Sequence, residues 1–474
     1  MKSYKRIGIA LLFLSIFLCF FGSVHADFTD EVIKQRLKEL QIPGAAIAVI
    51  KKGKVVKMQG YGLASLEFNV AVTPKTAFEI GSVSKQMTAA AILLLVEEGK
   101  IQLDDSINKH LPEVPAEWGP ITIRHLLTHS SGIKNYTGLE GFELSRRLSA
   151  KEFIEKLSVY KLEFKPGDKV SYCNSGFNLL AFIIERVSGK KYFDFMRERV
   201  FIPLGMRSTF DRDPRNIIPL RASGYEVEDE KFIGRDANLT DLTGAGSIVS
   251  TIEDMTKWEA ALYGKNFLTE KSRQSWWTPQ RLNSGEASPY GFGWRIGEAA
   301  GHRLISHTGQ TAGFGAAIYR FIDDGYTFIA LTNQGQSGMG AKLASDLAKI
   351  FLPHQSLANL ETQAAMTSES YYVQLAKERI QMNFSDQYFS QAFISRMSGR
   401  RIAQERKILI SAGPIRKIFL LNEKKPSAER GQRILVFTQK KIFLFRIIKD
   451  ADGKISSMNL EDDQIIHSIN KRKK

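Results

Sequence analysis

Ser82 and Lys85 are three residues apart at the start of an Ala- and Leu-rich run, and this spacing can produce a nucleophile. The run Val83–Glu98 has no Gly or Pro and is followed by Gly99, so it predicts a helix with a glycine C-cap. Ser82 would lie at the helix N-terminus, where free N–H groups favour developing negative charge. Lys85 would emerge on the same face, and a partly desolvated lysine can accept the serine proton. The pair is therefore compatible with acyl transfer, and an N-cap serine followed by a surface lysine is the alternative interpretation that the rest of the chain must decide.

A second polar cluster, Tyr172-Cys173-Asn174, follows Pro166-Gly167 and precedes an apolar run, which predicts a loop that enters a helix. The Tyr172 phenol can relay a proton, and the Asn174 amide can hold a carbonyl group. These are side-chain types that a serine nucleophile needs as partners.

A third cluster, the triplet His307-Thr308-Gly309, is predicted to end a strand. The small Gly309 would let a substrate backbone lie alongside, and the N–H of Gln310 would point into the same space. Together with the N–H of Ser82, it would form the two-donor oxyanion hole that acyl transfer requires. We therefore interpret His307, Thr308, Gly309 and Gln310 as substrate-binding residues.

Strand patterns occur early and late in the long N-terminal part of the chain. Ala45–Ile50 and Val55–Tyr61 flank a Lys-Gly turn, which predicts a hairpin, and apolar runs return at Arg303–His307, Phe314–Phe321 and Tyr326–Thr332. The residues between them predict helices and loops. This order favours an α/β (α+β) fold, in which one antiparallel sheet is flanked by helices and joined by a helical subdomain.

The first 26 residues have the pattern of a secretory signal peptide. Lys2, Lys5 and Arg6 precede the apolar run Ile7–Phe21, and a small-x-small pattern ends at Ala26. We expect cleavage there and a periplasmic or secreted protein. Retention as an uncleaved anchor is the alternative, although the run is short for a membrane span.

The cysteine and histidine residues predict neither a disulfide nor a metal site. After cleavage of the signal, Cys173 is the only cysteine, which excludes an internal disulfide. His125 and His129 have i, i+4 spacing, but no third ligand pattern accompanies them. We expect no metal and no cofactor.

Composition changes along the chain predict a domain at 27–353, a polar linker at 354–369 and a small basic α+β domain at 370–474. In the last of these, Tyr371–Met397 predicts a helical segment. The short apolar runs after it predict a meander: Ile408–Ser411, Ile415–Leu421, Arg433–Thr438 and Ile442–Ile448.

The net charge is +16, and more than half of this excess follows Gln355. In an exported protein, a basic surface would meet anionic cell-wall polymer or lipid head groups rather than nucleic acid. A simple solvated surface is the alternative interpretation.

The three clusters occur together in an order that resembles a known superfamily. The chain resembles serine β-lactamases and penicillin-binding proteins, on the branch of class C β-lactamases, DD-peptidases and related esterases. That family carries S-x-x-K, Y-x-N and a K-T-G-like triplet in this order. The likeness extends over about 28–352, and further segments carry it: Phe78–Ser82, Ile121–Gly132, Pro203–Met206, Gly244–Gly246, Ser250–Thr251 and Tyr290–Trp294.

The resemblance implies a serine β-lactamase/DD-peptidase-like fold and a role for each matching residue. Ser82 would be the nucleophile and Lys85 its proton acceptor. Tyr172 would relay a proton to the leaving group and to the deacylating water, and Asn174 would orient the substrate. His125 and His129 match scaffold positions of the family.

Two positions depart from the family pattern. Cys173 fills the middle of the Y-x-N triplet, where we interpret it as a small buried residue. His307 stands where β-lactamases carry lysine, and with its ordinary pKa near 6.5 about a tenth of it would be protonated at pH 7.5. We therefore expect weak activity on carboxylate-bearing substrates that rises as the pH falls toward 6, and a preference for uncharged esters or amides.

The leading hypothesis is an exported serine hydrolase that acts through a Ser82 acyl-enzyme on small esters, D-amino-acid peptides or β-lactams. The alternative is a penicillin-recognising or cell-wall-binding protein that acylates slowly or not at all. The intact set of Ser82, Lys85 and Tyr172 favours the enzyme, because a pure binding protein has no use for all three. The choice of substrate depends on loop shapes and stays open.

Overall fold

The structure is a computed structural model that divides into two compact units, Arg36–Leu347 and Met1–Gln35 with Ala348–Lys474. The predicted signal segment 1–26, most of the predicted linker and the run Ile408–Ser411 apart from Leu409 lie outside the described residues. The structure describes residues 29–264, 266–299, 302–352, 364–366, 370–381, 383–397, 409, 413–421, 432–438 and 442–460.

The described residues form helices and strands with the following bounds. The helices are α1 (29–39), α2 (Ser84–Glu97), α3 (Ile123–Leu127), α4 (Ala150–Ser158), α5 (Asn174–Ser188), α6 (Tyr192–Met196), α7 (Thr243–Gly246), α8 (Ile252–Tyr263), α9 (Glu270–Trp277), α10 (Met339–Phe351), α11 (Ser370–Gln381) and α12 (Gln391–Arg396). The strands are β1 (Gly44–Lys51), β2 (Lys54–Ser65), β3 (Val70–Ala71), β4 (Ala77–Glu79), β5 (Phe210–Asp211), β6 (Tyr225–Glu228), β7 (Lys231–Gly234), β8 (Ile248–Thr251), β9 (Arg295–Ala299), β10 (His302–Thr311), β11 (Phe314–Phe321), β12 (Tyr326–Thr332), β13 (Ala364–Met366), β14 (Ile415–Leu421), β15 (Gln432–Thr438), β16 (Ile442–Lys449) and β17 (Ile455–Leu460).

The main sheet of the larger unit is antiparallel, in the order β3-β2-β1-β12-β11-β10-β9. Early and late strands meet at its centre, where Ala48 of β1 lies opposite Ile329 of β12. β1 is buried along nearly its whole length because it is a central strand and α8 packs on it. The prediction of one antiparallel sheet built from both ends of this segment, with helices on its faces, is confirmed.

Helix α2 is the central helix of the larger unit, and it packs against α5 and α7. Its sequence explains this position, since the run of Ala, Ile and Leu after Met87 provides apolar side chains around the helix. Gly99 follows the helix with a φ of +68°, the left-handed conformation of a glycine cap. The predicted helix is therefore present, although a separate 3₁₀ turn, Gly81–Val83, precedes it.

Strand β10 continues to Thr311, so the triplet His307-Thr308-Gly309 lies inside a strand, and the prediction that it ends one is wrong. The pairing with β11 continues through the triplet to Thr311 opposite Phe314, which extends the strand. The 3₁₀ turn that carries Ser82 packs against β10 and β11.

The contact between this turn and β10 requires a glycine. A Cβ atom at Gly309 would lie 1.9 Å from the carbonyl oxygen of Ile80, closer than real atoms approach. The absence of a side chain therefore lets the middle of β10 lie directly on the nucleophile turn.

The C-terminal unit contains an antiparallel sheet in the order β13-β14-β15-β16-β17. Three of the four runs predicted as a meander are the paired strands β14, β15 and β16, but the single helical segment expected at Tyr371–Met397 consists of two helices, α11 and α12. β13 also lies within the predicted linker and pairs with β14. Among the described residues of the whole chain, no helix combines the length and apolar character needed to cross a membrane.

We predict that Gly309→Ala lowers the thermal unfolding midpoint, because the new methyl group must force β10 away from Ile80. Overpacking of this kind costs about 1–3 kcal/mol. Gly297→Ala on the adjacent strand β9 is the matched control, since a Cβ there meets no atom within 4 Å. Calorimetry of both variants tests the contact, and equal unfolding midpoints would contradict it.

Candidate active site

Ser82 lies in the 3₁₀ turn between β4 and α2, with its side chain on a cleft. Two hydrogen bonds meet its hydroxyl: Lys85 Nζ lies 3.1 Å and the Tyr172 hydroxyl 2.6 Å from Ser82 Oγ. Tyr172 is about ninety residues away in sequence, so the fold rather than local spacing brings it there. The three residues that the sequence predicts as catalytic are therefore adjacent.

The amine of Lys85 is fully buried and has two further hydrogen-bond partners besides Ser82. It donates to Asn174 Oδ1 at 2.8 Å and to the carbonyl oxygen of Ala245 at 2.7 Å. Burial lowers the pKa of Lys85 well below its ordinary value, because a charged amine is poorly solvated there.

These contacts orient the neutral amine of Lys85. A neutral amine has two hydrogens and one lone pair, and both amide oxygens can only accept hydrogen bonds. If the hydrogens go to Asn174 and Ala245, the lone pair faces the hydroxyl of Ser82. The arrangement can therefore accept the proton of Ser82.

Tyr172 lies on the loop before α5, with its ring 4.7 Å from Lys85 Nζ. Burial raises the pKa of Tyr172, and the hydrogen bond to Ser82 opposes this rise only in part. The side chain is 38 % exposed to the cleft, so solvent moderates the shift without reversing it. The phenol therefore keeps its proton at neutral pH and can donate it.

Asn174 is the first residue of α5, and its amide is held on both sides. Besides accepting from Lys85, it donates from Nδ2 to Thr137 Oγ1 at 3.2 Å, and its backbone N–H donates to Asn135 Oδ1 at 2.8 Å. The sequence did not predict these contacts of Asn135, Thr137 and the carbonyl of Ala245. Only the glycine-flanked position of Ala245 carried a sequence signal, whereas no local pattern marked the other two.

The middle residue of the Y-x-N triplet, Cys173, is buried. Its thiol donates to the carbonyl oxygen of Ile133 at 3.2 Å. Burial raises the pKa of this thiol above its ordinary value. The thiol of Cys173 is therefore protonated and hydrogen-bonded. This agrees with the interpretation of Cys173 as a small buried residue.

His307 is buried, and the expectation that it titrates near pH 6 is wrong. Burial, with a smaller contribution from Lys85, lowers the pKa of His307 to about 3. Its Nδ1 donates to the carbonyl oxygen of Thr308 at 2.7 Å, which leaves Nε2 unprotonated and without a hydrogen-bond partner among the described residues. His307 is therefore neutral across the range in which the sequence analysis expected a charge.

The backbone segments that carry the N–H groups of Ser82 and Gln310 lie against each other. A Cβ at Gly309 would be 3.1 Å from the nitrogen of Ser82, and a Cβ at Gly81 would be 2.7 Å from the nitrogen of Gln310. Gly81 has a φ of +49°, so both space and backbone conformation favour glycine there. The two donors that the sequence predicts for an oxyanion hole are close together.

The cleft in front of Ser82 has a volume of about 630 Å³. Thr308 and Gln310 face it from β10, and the Gln310 side chain is anchored through Nε2 to the carbonyl oxygen of Gly335 at 2.8 Å. Arg295 on β9 is the only Arg or Lys among the described lining residues, and no Asp or Glu lines the cleft with it. The sequence did not predict a position for Arg295 in the cleft, because its place beside Ser306 depends on the pairing of β9 with β10.

The described residues contain no group of three or more His, Cys, Asp or Glu side chains that could hold a metal ion. The chemistry that the cleft can support with its own residues is nucleophilic attack by a serine, with a buried amine as base and a phenol as acid.

Comparisons with known proteins identify the family of the chain. The sequence profile of the Beta-lactamase family matches residues 29–351. Penicillin-binding protein 4* of Bacillus subtilis (strain 168) is 32% identical over 313 residues, which are 62% of this chain and 68% of that protein. A D-aminopeptidase of Brucella anthropi is 32% identical over 311 residues, which are 64% of this chain and 58% of that protein.

Solved structures share the fold. The octameric penicillin-binding protein homologue from Pyrococcus abyssi has a TM-score of 0.61 at 22% identity, covering 92% of this chain and 98% of its own. The D-amino acid amidase from Ochrobactrum anthropi SV3 also has a TM-score of 0.61 at 22% identity, covering 69% and 97%. Because the family profile matches more than half of the residues, the chain belongs to the Beta-lactamase family and is a serine hydrolase.

Proposed function

We propose that the protein forms an acyl-enzyme on Ser82 and hydrolyses it. Lys85 accepts the proton as Ser82 Oγ attacks the substrate carbonyl, and the N–H groups of Ser82 and Gln310 stabilise the oxyanion. Tyr172 donates its proton to the leaving group as the bond to the carbonyl carbon breaks. The Tyr172 phenolate then takes a proton from the attacking water, and Lys85 returns its proton to Ser82 Oγ as the ester bond breaks, which releases the acid and restores all three side chains.

One observation carries this proposal: both Lys85 Nζ and the Tyr172 hydroxyl are within hydrogen-bond distance of Ser82 Oγ. A binding protein that only recognises its ligand needs neither a neutral buried amine nor a phenol at the serine. The alternative of a slowly acylating penicillin-recognising or wall-binding protein is therefore less well supported.

For the substrate, we propose a D-amino-acid peptide or ester that carries a carboxylate beyond the scissile bond. The cleft has one cationic side chain, Arg295, and no anionic one among its described lining residues. Recognition of a free amino group, as the name D-aminopeptidase of one relative implies for that protein, would call for an acidic side chain instead. A carboxylate suits Arg295, which forms planar bidentate pairs with such groups.

This substrate differs from the uncharged esters or amides that the sequence predicted. That prediction considered only His307, and a neutral histidine cannot attract a carboxylate. Arg295 supplies a permanent charge at the strand position next to His307, since Arg295 lies opposite Ser306.

We also propose export, on the basis of the basic and apolar pattern of residues 1–26, and contact of the basic C-terminal residues with an anionic wall or lipid surface. An exported enzyme of this class would meet D-amino-acid peptides outside the cytoplasm. Fractionation of cells that express the full chain tests the location.

We predict that Ser82→Ala abolishes turnover of a nitrophenyl ester and covalent labelling by a fluorescent penicillin, while the circular dichroism spectrum is kept. The reason is that the Ser82 hydroxyl is the group to which both Lys85 and Tyr172 hydrogen-bond. Ser337→Ala is the matched control, because Ser337 lines the same cleft and is exposed. Labelling that persists in Ser82→Ala would show that the nucleophile is another residue.

We predict that Lys85→Met lowers kcat by about 100-fold or more, and that Tyr172→Phe has a smaller effect. In the wild type, kcat/KM should fall on the acid side as Lys85 becomes protonated, because burial lowers the pKa of this amine well below its ordinary value. His307, with a pKa of about 3, should add no increase between pH 7.5 and 6. Lys75→Met at an exposed lysine is the control, and unchanged turnover in Lys85→Met would require another base.

We predict that Arg295→Gln raises KM for a peptide ending in D-Ala-D-Ala by about 10-fold or more, the usual effect of losing one charged contact. The same peptide with a C-terminal amide should be unaffected, because it has no carboxylate to lose. Arg303→Gln is the matched control on β10, where Arg303 pairs with Asp323 at 3.0 Å outside the cleft lining. Equal effects on the acid and the amide would contradict the carboxylate site.

A further inference from the structure

His129 is a buried residue beside the site that the proposed acyl transfer does not use. It follows α3 and has a φ of +58°, a conformation that residues other than glycine rarely adopt. Its ring packs against Phe177 at 5.1 Å and edge-on against Tyr290 at 5.0 Å between centroids. The family resemblance implies a scaffold position for His129, and its ring lies behind Tyr290, which lines the cleft.

The contacts of His129 surround Tyr172. The carbonyl oxygen of His129 accepts from the N–H of Ser171 at 2.9 Å, and its Nδ1 accepts from the N–H of Cys173 at 3.1 Å. The ring centroid of His129 lies 4.5 Å from that of Tyr172. One residue therefore holds both chain neighbours of Tyr172 and contacts its side chain.

Such anchoring matters because Tyr172 lies on a loop, where no strand ladder or helix fixes the backbone. Its hydroxyl must stay 2.6 Å from Ser82 Oγ although the side chain is 38 % exposed. A misplacement of about 1 Å at a reacting group can cost about 100-fold in rate.

We propose that His129 is the positioning residue for Tyr172, and that it holds the phenol at Ser82 through the two backbone hydrogen bonds and the ring contact. This inference rests on the proposed role of Tyr172 as proton donor. This role accounts for the positive φ of His129. In this conformation its carbonyl oxygen and its imidazole hydrogen-bond to the residues on either side of Tyr172.

The ring nitrogens of His129 fit this role. Because Nδ1 accepts a hydrogen bond, the proton of the neutral ring is on Nε2, which has no hydrogen-bond partner among the described residues. Burial, with smaller contributions from Lys85 and His307, lowers the pKa of His129 well below its ordinary value and keeps Nδ1 free to accept.

A double-mutant cycle between His129→Gly and Tyr172→Phe tests the proposal, with kcat for a nitrophenyl ester as the readout. Glycine tolerates the positive φ, so this variant removes the ring and the Nδ1 acceptor without adding backbone strain. We expect His129→Gly to lower kcat by about 10- to 100-fold in the wild type, with little change in KM. In the Tyr172→Phe background it should cost less than about 3-fold more, because the phenol that it positions is already lost.

His129→Asn should restore part of the rate relative to His129→Gly. Asparagine also tolerates a positive φ, and its Oδ1 lies where Nδ1 of histidine lies, so it can accept from the N–H of Cys173. If His129→Gly does not fold, the cycle is run with His129→Asn, which lacks the ring contact. His125→Asn is the matched control, since His125 Nδ1 accepts from the N–H of Thr122 at 3.2 Å.

The outcomes separate this inference from the proposed function. Equal losses from His129→Gly in both backgrounds, or a wild-type kcat in that variant, would overturn the positioning role. A wild-type enzyme without ester turnover would instead overturn the acyl-transfer function. Thermal unfolding of every variant shows whether lost stability, rather than a displaced Tyr172, accounts for a lower kcat.

Discussion

The site depends on the burial of one amine. Lys85 Nζ lies among the oxygens of Asn174 and Ala245 and the hydroxyl of Ser82, and no carboxylate of the described residues is in hydrogen-bond contact with it. Neutral oxygens can orient an amine without stabilising its charge as a carboxylate would, so desolvation controls its pKa. A carboxylate in place of either amide oxygen would favour the ammonium form, and Lys85 could then no longer accept the proton of Ser82. The residues of α2, α5 and α7 that surround Lys85 Nζ must therefore be uncharged.

The two histidines near Lys85 are also uncharged, and the positive charge of the cleft lies on another residue. His307 and His129 are both buried, and the pKa of each is lowered, in part by Lys85. Two neutral histidines leave the amine free of positive neighbours that would disturb its contacts. The positive charge of the cleft comes instead from Arg295, which is exposed on β9. Proton transfer and the recognition of an anion can therefore be carried by different groups.

The sequence predicted those parts of the site that local spacing determines. Ser82 and Lys85 are neighbours on one turn, and the early and late strand patterns pair as β1 with β12. It could not predict the carbonyl of Ala245, which is 160 residues from Lys85 and offers no side chain to recognise. Arg295 was missed because a strand register decides whether its side chain lines the cleft. The error on His307 had a different cause, since an ordinary pKa applies to a solvated ring and not to a buried one.

The reaction centre and the proposed specificity site differ in how strongly the fold determines them. Ser82 is fixed by a turn packed on β10, where Gly309 permits no side chain, and Tyr172 is held from both sides. β9, by contrast, is the edge strand of the main sheet, and its Arg295 is exposed, with the guanidinium 5.7 Å from the ring centroid of Tyr290. The replacement of an exposed residue on an edge strand disturbs a sheet little. Changes at position 295 can therefore alter the charge that the cleft offers to a substrate while the contacts of Lys85 and Tyr172 with Ser82 stay as they are.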